Sequence, residues 1–314
     1  NEAKHMRIVR ETHINFMSQR KVASLLSAII VLSGLVSLLI NGGPKLSIDF
    51  KGGTIVSVQY NEDMDITAVR EALSTIDIDG QVFDFSNEEV KYFGSNSAIS
   101  VRVPHIESSP SNFGQKIADH LYNSFADKVP EDKTLFLLNK GSVGPKIGAE
   151  LSGKALMAII SALGLILLYI SIRFEFRFAL GAIAALSHDV FVTLGLFSLL
   201  GYEISLPIIA AFLTIVGYSL NDTIVIFDRI RENIKTLKRE NYVKIINQSI
   251  NESLSRTIVT SLTTFFVVLI LWLFGGEVIH NFALAMIIGV IVGTYSSIYI
   301  ASPIVIYLHD RAAK

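Results

Sequence analysis

No cysteine occurs in the 314 residues. That absence excludes disulfides, thiolate metal sites and a cysteine nucleophile. It leaves the compartment open, because many extracytoplasmic domains do without disulfides. Charge is scarce too: Asp, Glu, Lys and Arg make up 18% of the chain, where a soluble domain carries about a quarter. The net charge of −1 gives no reason to expect a nucleic-acid partner. No GxxxxGK[ST] phosphate loop and no low-complexity tract occurs, and no cofactor or metal is expected. No cleavable signal peptide is expected either, because the first apolar run is too long for an h-region and no small-residue cleavage site follows it. The chain opens on Asn1 and not on Met, as expected of a piece of a longer polypeptide, and His5-Met6 has the form of a cloning scar.

What the chain has in quantity is apolar length. Hydrophobic residues make up 51%, and crossing about 30 Å of hydrocarbon takes roughly 20 of them in a row. Six runs qualify: Val22–Ile40, Ala155–Ile172, Phe178–Leu200, Leu206–Phe227, Ile258–Phe274 and Phe282–Leu308. Lys and Arg sort the connections into two classes. Lys4, Arg7, Arg10, Arg20 and Lys21 precede the first span, and Arg173 and Arg177 join the second to the third. Arg229, Arg231, Lys235, Lys238, Arg239, Lys244 and Arg256 lie between the fourth and fifth, and Arg311 and Lys314 close the chain. The short turns at Gly201-Tyr202-Glu203 and Gly275-Gly276-Glu277 carry none. The positive-inside rule then places both termini in the cytoplasm.

Between the first and second spans, residues 41–154 are too polar for a membrane and are expected outside it. Strands are expected at Thr54–Tyr60, Val82–Phe85, Ala98–Val103 and Thr134–Asn139, with Val90–Phe93 a candidate for the same pairing. Helices are expected at Ile66–Ile76 and Phe113–Phe125. The order β-α-β-β-α-β suggests a ferredoxin-like sandwich. The reading is therefore an α-helical polytopic membrane protein of six transmembrane helices, with one extracytoplasmic α+β ferredoxin-like domain between helices 1 and 2. Its parts are a cytoplasmic segment 1–21, helix 22–40, the outer domain 41–154, a five-helix bundle 155–308 and a cytoplasmic tail 309–314. Segment 236–255 within the bundle is expected as a cytoplasmic amphipathic helix, lying in the interface or packing on the bundle. Gly52-Gly53 and Gly144-Pro145 are read as backbone turns where the outer domain joins the spans. Gly289, Gly293, Ser296 and Ser297 in the sixth span are read as close helix packing.

One residue stands out against this apolar background. Asp222 lies near the inner end of the fourth span, in the run GYSLNDTIVIFDRIREN. A carboxylate at membrane depth costs about 2.5–3.5 kcal/mol on insertion scales, so something must repay it: a buried partner, a water-filled path or an exchangeable proton. Burial raises a carboxyl pKa and a nearby cation lowers it, so a carboxylate and a cation together can load and release a proton.

Several motifs together resemble one family. They are Asp49-Phe50-Lys51-Gly52-Gly53-Thr54 after the first span, Val143-Gly144-Pro145 before the second, and His188-Asp189-Val190 in the third. Gly217-Tyr218-Ser219-Leu220-Asn221-Asp222-Thr223 with Phe227-Asp228-Arg229 follows, then Ser255-Arg256-Thr257, then Gly293-Thr294-Tyr295-Ser296-Ser297. This set resembles the SecF family, the smaller half of the bacterial SecD–SecF accessory complex of the protein-export machinery. Lys51 and Phe176 stand where that family often has other residues.

The resemblance implies a non-enzymatic subunit of the bacterial cytoplasmic membrane, related to the resistance-nodulation-division transporters and driven by the proton gradient. It implies SecD as partner, separate or fused, with the SecYEG channel, unfolded preprotein and protons; YajC and YidC are further candidates. It makes Asp222 a proton-binding carboxylate at the SecD interface and Arg256 its cation, with Asn221, His188 and Asp189 as other candidates for the proton pathway. The plainer alternatives stay open: a fixed ion pair or a hydrogen-bonded helix contact at Asp222, an ordinary interfacial anchor at Arg256, and a capped His188–Asp189 pair. Successive residues on a helix diverge by about 100°, so His188 and Asp189 do not line one narrow path equally well. Arg229, Arg231 and Glu232 are read as a solvated helix end.

Overall fold

The computed structural model describes residues 12–106, 110, 112–237 and 239–312, with backbone only at 277 and 278. Lys4, Arg7, Arg10, Lys238 and Lys314, counted above for topology, lie outside the described residues. The chain divides into two compact units, one of Asn1–Lys45 with Leu156–Lys314 and one of Leu46–Ala155.

A short 3-10 turn, Phe16–Gln19, leads into helix α1 (Arg20–Ile40). The Leu46–Ala155 unit follows, opening on the helical turn α2 (Ile48–Lys51), whose amides are capped by Ser47. Gly52 and Gly53, at φ +77° and +134°, then turn the chain into strand β1 (Gly53–Gln59). Next come α3 (Ile66–Ala72), β2 (Ile76–Ile78), β3 (Gln81–Phe83), β4 (Glu89–Phe93) and β5 (Ser95–Val103). Helix α4 (Phe113–Ser124), the turn α5 (Lys133–Phe136) and β6 (Leu137–Val143) complete the unit. The main sheet has the order β4-β5-β1-β6 and is antiparallel throughout, the ferredoxin-like arrangement. Val56 and Val58 of β1 and Ile99, Val101 and Val103 of β5 share one core with Val69 of α3, Leu73 at its C-terminal cap, and Ile117 and Leu121 of α4.

Two local readings change. The strand expected at Val82–Phe85 is not in the main sheet. Gln81–Phe83 pairs instead with Ile76–Ile78 in a separate hairpin, because Asp79 and Gly80 both take positive φ (57° and 80°), the requirement of a tight two-residue hairpin turn. The last strand begins at Leu137 and not at Thr134. Asp132 accepts from the Thr134 amide at 2.9 Å and hydroxyl at 2.7 Å, and that cap winds Lys133–Phe136 into a helical turn.

The other unit is helical: α1, then α6 (Pro145–Arg173, entering from the sheet unit), α7 (Phe176–Leu200), α8 (Leu206–Thr236), α9 (Tyr242–Phe274) and α10 (Gly276–Ser296). A π-helical turn, Ser297–Ala301, joins α10 to α11 (Ser302–Ala312). Six helical segments among the described residues are long and apolar enough to cross a membrane, the last being Ile279–Ala312. The chain is a polytopic membrane protein. Helices α1 and α7 touch backbone to backbone where Gly34 meets Gly195.

Segment 236–255 needs the clearest revision. From Tyr242 it is the first part of α9 and runs without a break into the fifth span. At 31 and 33 residues, α8 and α9 are about 46 and 50 Å long, well beyond the hydrocarbon thickness. Their extensions pack on each other. Ile246, Ile250 and Leu254 are buried in the bundle core, Asn233 donates to Ser249 at 3.0 Å and to Glu252 at 2.8 Å, and Arg229 donates to Glu252 at 2.6 Å. Of the two expected forms, the helix packed on the bundle is the one observed. Arg229 is accordingly bonded to Glu232 at 2.8 Å as well, and Arg231 donates to the Arg173 carbonyl at 3.1 Å.

Candidate functional site

Among the described residues, Asp189 and Asp222 are the only buried acids, 0% and 2% exposed. They sit on neighbouring helices, in two hydrogen-bonded clusters of different quality.

Asp222 lies midway along α8 and faces α9 and α10. Its Oδ2 accepts from Ser261 at 3.3 Å and its Oδ1 from Thr260 at 3.5 Å. Ordinary O–H···O bonds cluster at about 2.7–2.8 Å, so both are weak. Ser261 also pairs with Thr294 of α10 at 2.7 Å. Arg256 lies one turn before Thr260 on α9, and its carbonyl accepts from the Thr260 hydroxyl at 3.0 Å. Its side chain is exposed. No ion pair between the two occurs among the described residues. Asn221, one residue back, is rotated onto the exposed face. Thr260 thus links Asp222 to the Arg256 carbonyl, while Asn221 lies on the exposed side of α8.

Asp189 on α7 is held far more tightly. Its Oδ2 accepts from Ser219 of α8 at 2.5 Å and from Ser296 of α10 at 2.8 Å. Its Oδ1 lies 3.0 Å from Nδ1 of His188, whose side chain is 9% exposed. Although successive residues on a helix diverge, the His188 imidazole meets the carboxylate beside it. The His188 ring rests against Tyr295, centroids 6.1 Å apart. The Tyr295 hydroxyl reaches α1, donating to the Ala23 carbonyl at 2.8 Å beside Ser27 at 2.9 Å. This pair is not in contact with Arg256 and belongs to its own cluster.

Helix α10 connects the two. Thr294 bonds α9 through Ser261, Tyr295 bonds α1, Ser296 bonds α7 through Asp189, and Ser297 bonds α8 through Thr223 at 2.8 Å. Successive residues of a helix point about 100° apart, so four in a row reach four different neighbours only when the helix is surrounded. The π turn begins directly at Ser297, and the Ser302 hydroxyl donates to the Ser297 carbonyl at 3.1 Å. Such turns occur often at functional sites. Gly289 and Gly293 do serve packing: a Cβ at either would lie 2.3 Å from Ile215 or 2.9 Å from the Ser219 Cβ. Ser296 and Ser297, read from the sequence as packing, also bond Asp189 and Thr223, and the hydroxyls of Ser219, Thr260, Ser261 and Thr294 join the two clusters without having been read as site residues. No group of three His, Cys, Asp or Glu able to hold a metal occurs among the described residues.

The chain and its fold are similar to known proteins. Residues 126–311 match the family "Protein export membrane protein SecD/SecF, C-terminal", and residues 37–64 match the SecD/SecF GG motif. Protein translocase subunit SecF of Rhodothermus marinus is 44% identical, over 98% of this chain and 97% of its own length. SecF of Calditerrivibrio nitroreducens is 42% identical over 95% of each. The crystal structure of SecDF from Thermus thermophilus, a translocon-associated membrane protein, superposes with a TM-score of 0.82 at 36% identity, over 98% of this chain and 40% of that one. Identity sustained over nearly full length, together with a family match across most of the helical unit, means that the chain belongs to the SecF branch of the SecD/SecF protein-export membrane proteins.

Proposed function

We propose that this chain is the SecF half of a Sec translocase accessory complex and that proton exchange at Asp222 drives its work. It pairs with a SecD half in the bacterial cytoplasmic membrane, with both termini cytoplasmic and residues 41–154 outside. The Lys and Arg distribution supports that orientation. Protons passing Asp222 move the outer domains, which hold unfolded preprotein leaving the SecYEG channel. YajC and YidC belong to the same proposed assembly. The reading involves no covalent catalysis and no cofactor.

The observation that carries it is the poor shell of Asp222: a buried carboxylate with two long hydrogen bonds and no closed ion pair. A group meant only to fasten helices is held as Asp189 is held. Asn221 and Arg256, exposed in the single chain, supply the polar surface that a second membrane chain would cover, completing the path. Each proton crossing 100 mV supplies about 2.3 kcal/mol, enough to bias two domain arrangements of similar energy.

Asp222→Asn tests this. Proton-gradient-dependent export from inverted membrane vesicles is expected to fall to the level without SecD–SecF, while the chain still co-purifies with SecD. Undiminished export sinks the reading. Loss of co-purification favours the second reading, a non-conducting scaffold joining SecD to SecYEG, for which the bonds from α9 to Asp222, continued to α10 by Ser261 and Thr294, would be the reason.

A further inference from the structure

Proton exchange at Asp222 leaves the more deeply buried carboxylate without a task. Asp189 is fully enclosed, and its carboxylate takes hydroxyl hydrogens from two other helices. The two donors are placed to matter. Ser219 stands three residues before Asp222 on α8, about one turn, and Ser296 stands two residues after Thr294 on α10. A single carboxylate on α7 thus ties down both the helix that bears Asp222 and the helix whose Thr294 hydroxyl backs Ser261.

The hydroxyls have alternatives. Each carries one hydrogen. Ser296 can give its hydrogen to Asp189 at 2.8 Å or to the Gly293 carbonyl at 3.1 Å. Thr294 can give its own to Ser261 at 2.7 Å or to the Val290 carbonyl at 2.8 Å. When Thr294 donates to Ser261, Ser261 is free to donate to Asp222. When Thr294 donates to Val290, Ser261 donates to Thr294 and Asp222 loses that bond. The choice depends on how α10 is set against α8 and α9, and Asp189 holds that setting.

We propose that Asp189 is a positioning residue for proton exchange at Asp222, acting through the hydroxyls of Ser219 and Ser296. The inference rests on the proposed exchange at Asp222. The ionisable groups around Asp189 are His188 on its own helix, Tyr295 on α10 against His188, and Asp222 one turn beyond Ser219 on α8. From α1 the cluster meets the Ala23 carbonyl and Ser27, neither of them charged.

The test uses the full chain co-purified with its SecD half. The infrared carboxyl band of Asp222, identified by its loss in Asp222→Asn, is titrated in wild type, Asp189→Asn, Ser219→Ala, Ser296→Ala and the double variant Asp189→Asn/Ser296→Ala. Asp189→Asn is expected to displace the Asp222 midpoint by about half a pH unit or more, roughly threefold in proton affinity. Each serine variant should give part of that displacement in the same direction, and the double variant should match Asp189→Asn alone, since the serine acts through the carboxylate. An unmoved midpoint in an assembled Asp189→Asn complex overturns the proposal, as do serine effects that add to it; a purely structural role lowers thermal stability without moving the midpoint. If Asp189→Asn does not assemble, the two serine variants decide by the same criterion. Proton flux into proteoliposomes separates the two levels. Wild-type flux in Asp222→Asn overturns the transport reading, whereas the titration at Asp222 answers for Asp189 independently of flux.

Discussion

Helices α1 and α7 meet at a pair of glycines, and the crossing admits a quantitative test by Gly34→Ala. A Cβ built on Gly34 lies 2.6 Å from the Cα of Gly195 and 3.4 Å from its carbonyl carbon. Carbon atoms in contact prefer about 3.5–4.0 Å, so the helices must part by about 1 Å, and a gap of that size forfeits roughly a quarter to a half of each neighbouring contact's attraction. The obstacle is backbone, which has no rotamer to change. Separation also reaches the next turn, where Ser37 and Ser198 hydroxyls pair at 2.8 Å and Asn41 donates to Ser198 at 3.3 Å. An added 1 Å takes both beyond hydrogen-bonding range, and interhelical bonds in membranes average about 0.6 kcal/mol each. With overpacking at about 1–3 kcal/mol, the expected cost is about 2–4 kcal/mol.

The control is Gly164→Ala in α6, where nothing lies within 4 Å of the added methyl. Helix propensity favours Ala over Gly by about 1 kcal/mol, so this variant should be neutral or slightly stabilised. Thermal unfolding in detergent, followed by loss of the monodisperse peak, should separate the two variants by several degrees. Equal midpoints would refute the packing argument, because the same methyl would cost the same against backbone as against lipid.

Two further outcomes concern the Leu46–Ala155 unit. Gly53→Ala places a Cβ 2.7 Å from the Val103 carbonyl at φ +134° and should loosen the β1–β5 pairing by about 1–3 kcal/mol; hydrogen exchange of β1 amides is expected to rise well above that in Gly144→Ala, whose added methyl meets nothing. The Thr134 hydroxyl and then its amide, both donating to Asp132, hold that carboxyl below its ordinary value. A depressed carboxyl stabilises the fold above its unfolded pKa and loses that contribution as pH falls through the folded one. The α5 turn should therefore loosen in acid in the wild type, while Asp132→Asn, which keeps an acceptor and does not titrate, should show no such acid step by amide exchange.

Much of the architecture could be read from the residues because hydrocarbon and strand pairing each leave a periodic mark. The apolar runs located all six spans, and the alternation at Thr54–Tyr60 and Ala98–Val103 located the two central strands. What failed had local causes. The helix expected at Ile66–Ile76 stops at Ala72 because Asp79-Gly80 claims Ile76–Ile78 for a hairpin, a turn signal that the sequence does contain. The fourth and fifth helices were cut short at the end of their apolar runs. Hydropathy measures the cost of leaving water, and beyond the membrane that cost vanishes. There the helices are continued by Asn233, Ser249, Arg229 and Glu252 bonding across, and single-residue polarity does not report pairings between segments.

The site divides along the same physical line. A carboxylate in an apolar helix announces itself by its cost, so Asp189 and Asp222 were both visible as residues. Their difference was not. It lies in the lengths of hydroxyl bonds from α8, α9 and α10: 2.5 and 2.8 Å at Asp189 against 3.3 and 3.5 Å at Asp222. Serine and threonine cross membranes at little cost because each can bond a carbonyl of its own helix, as Thr294 does with Val290 and Ser296 with Gly293. A hydroxyl therefore looks like packing in sequence whether or not it also serves a carboxylate. Asn221 shows the converse error. It stands beside Asp222 in the chain and was taken with it, but one helical step of about 100° carries it to the outer face. On the proposed reading Asn221 belongs to the polar surface that a second chain covers, with the acid facing inward and the amide outward.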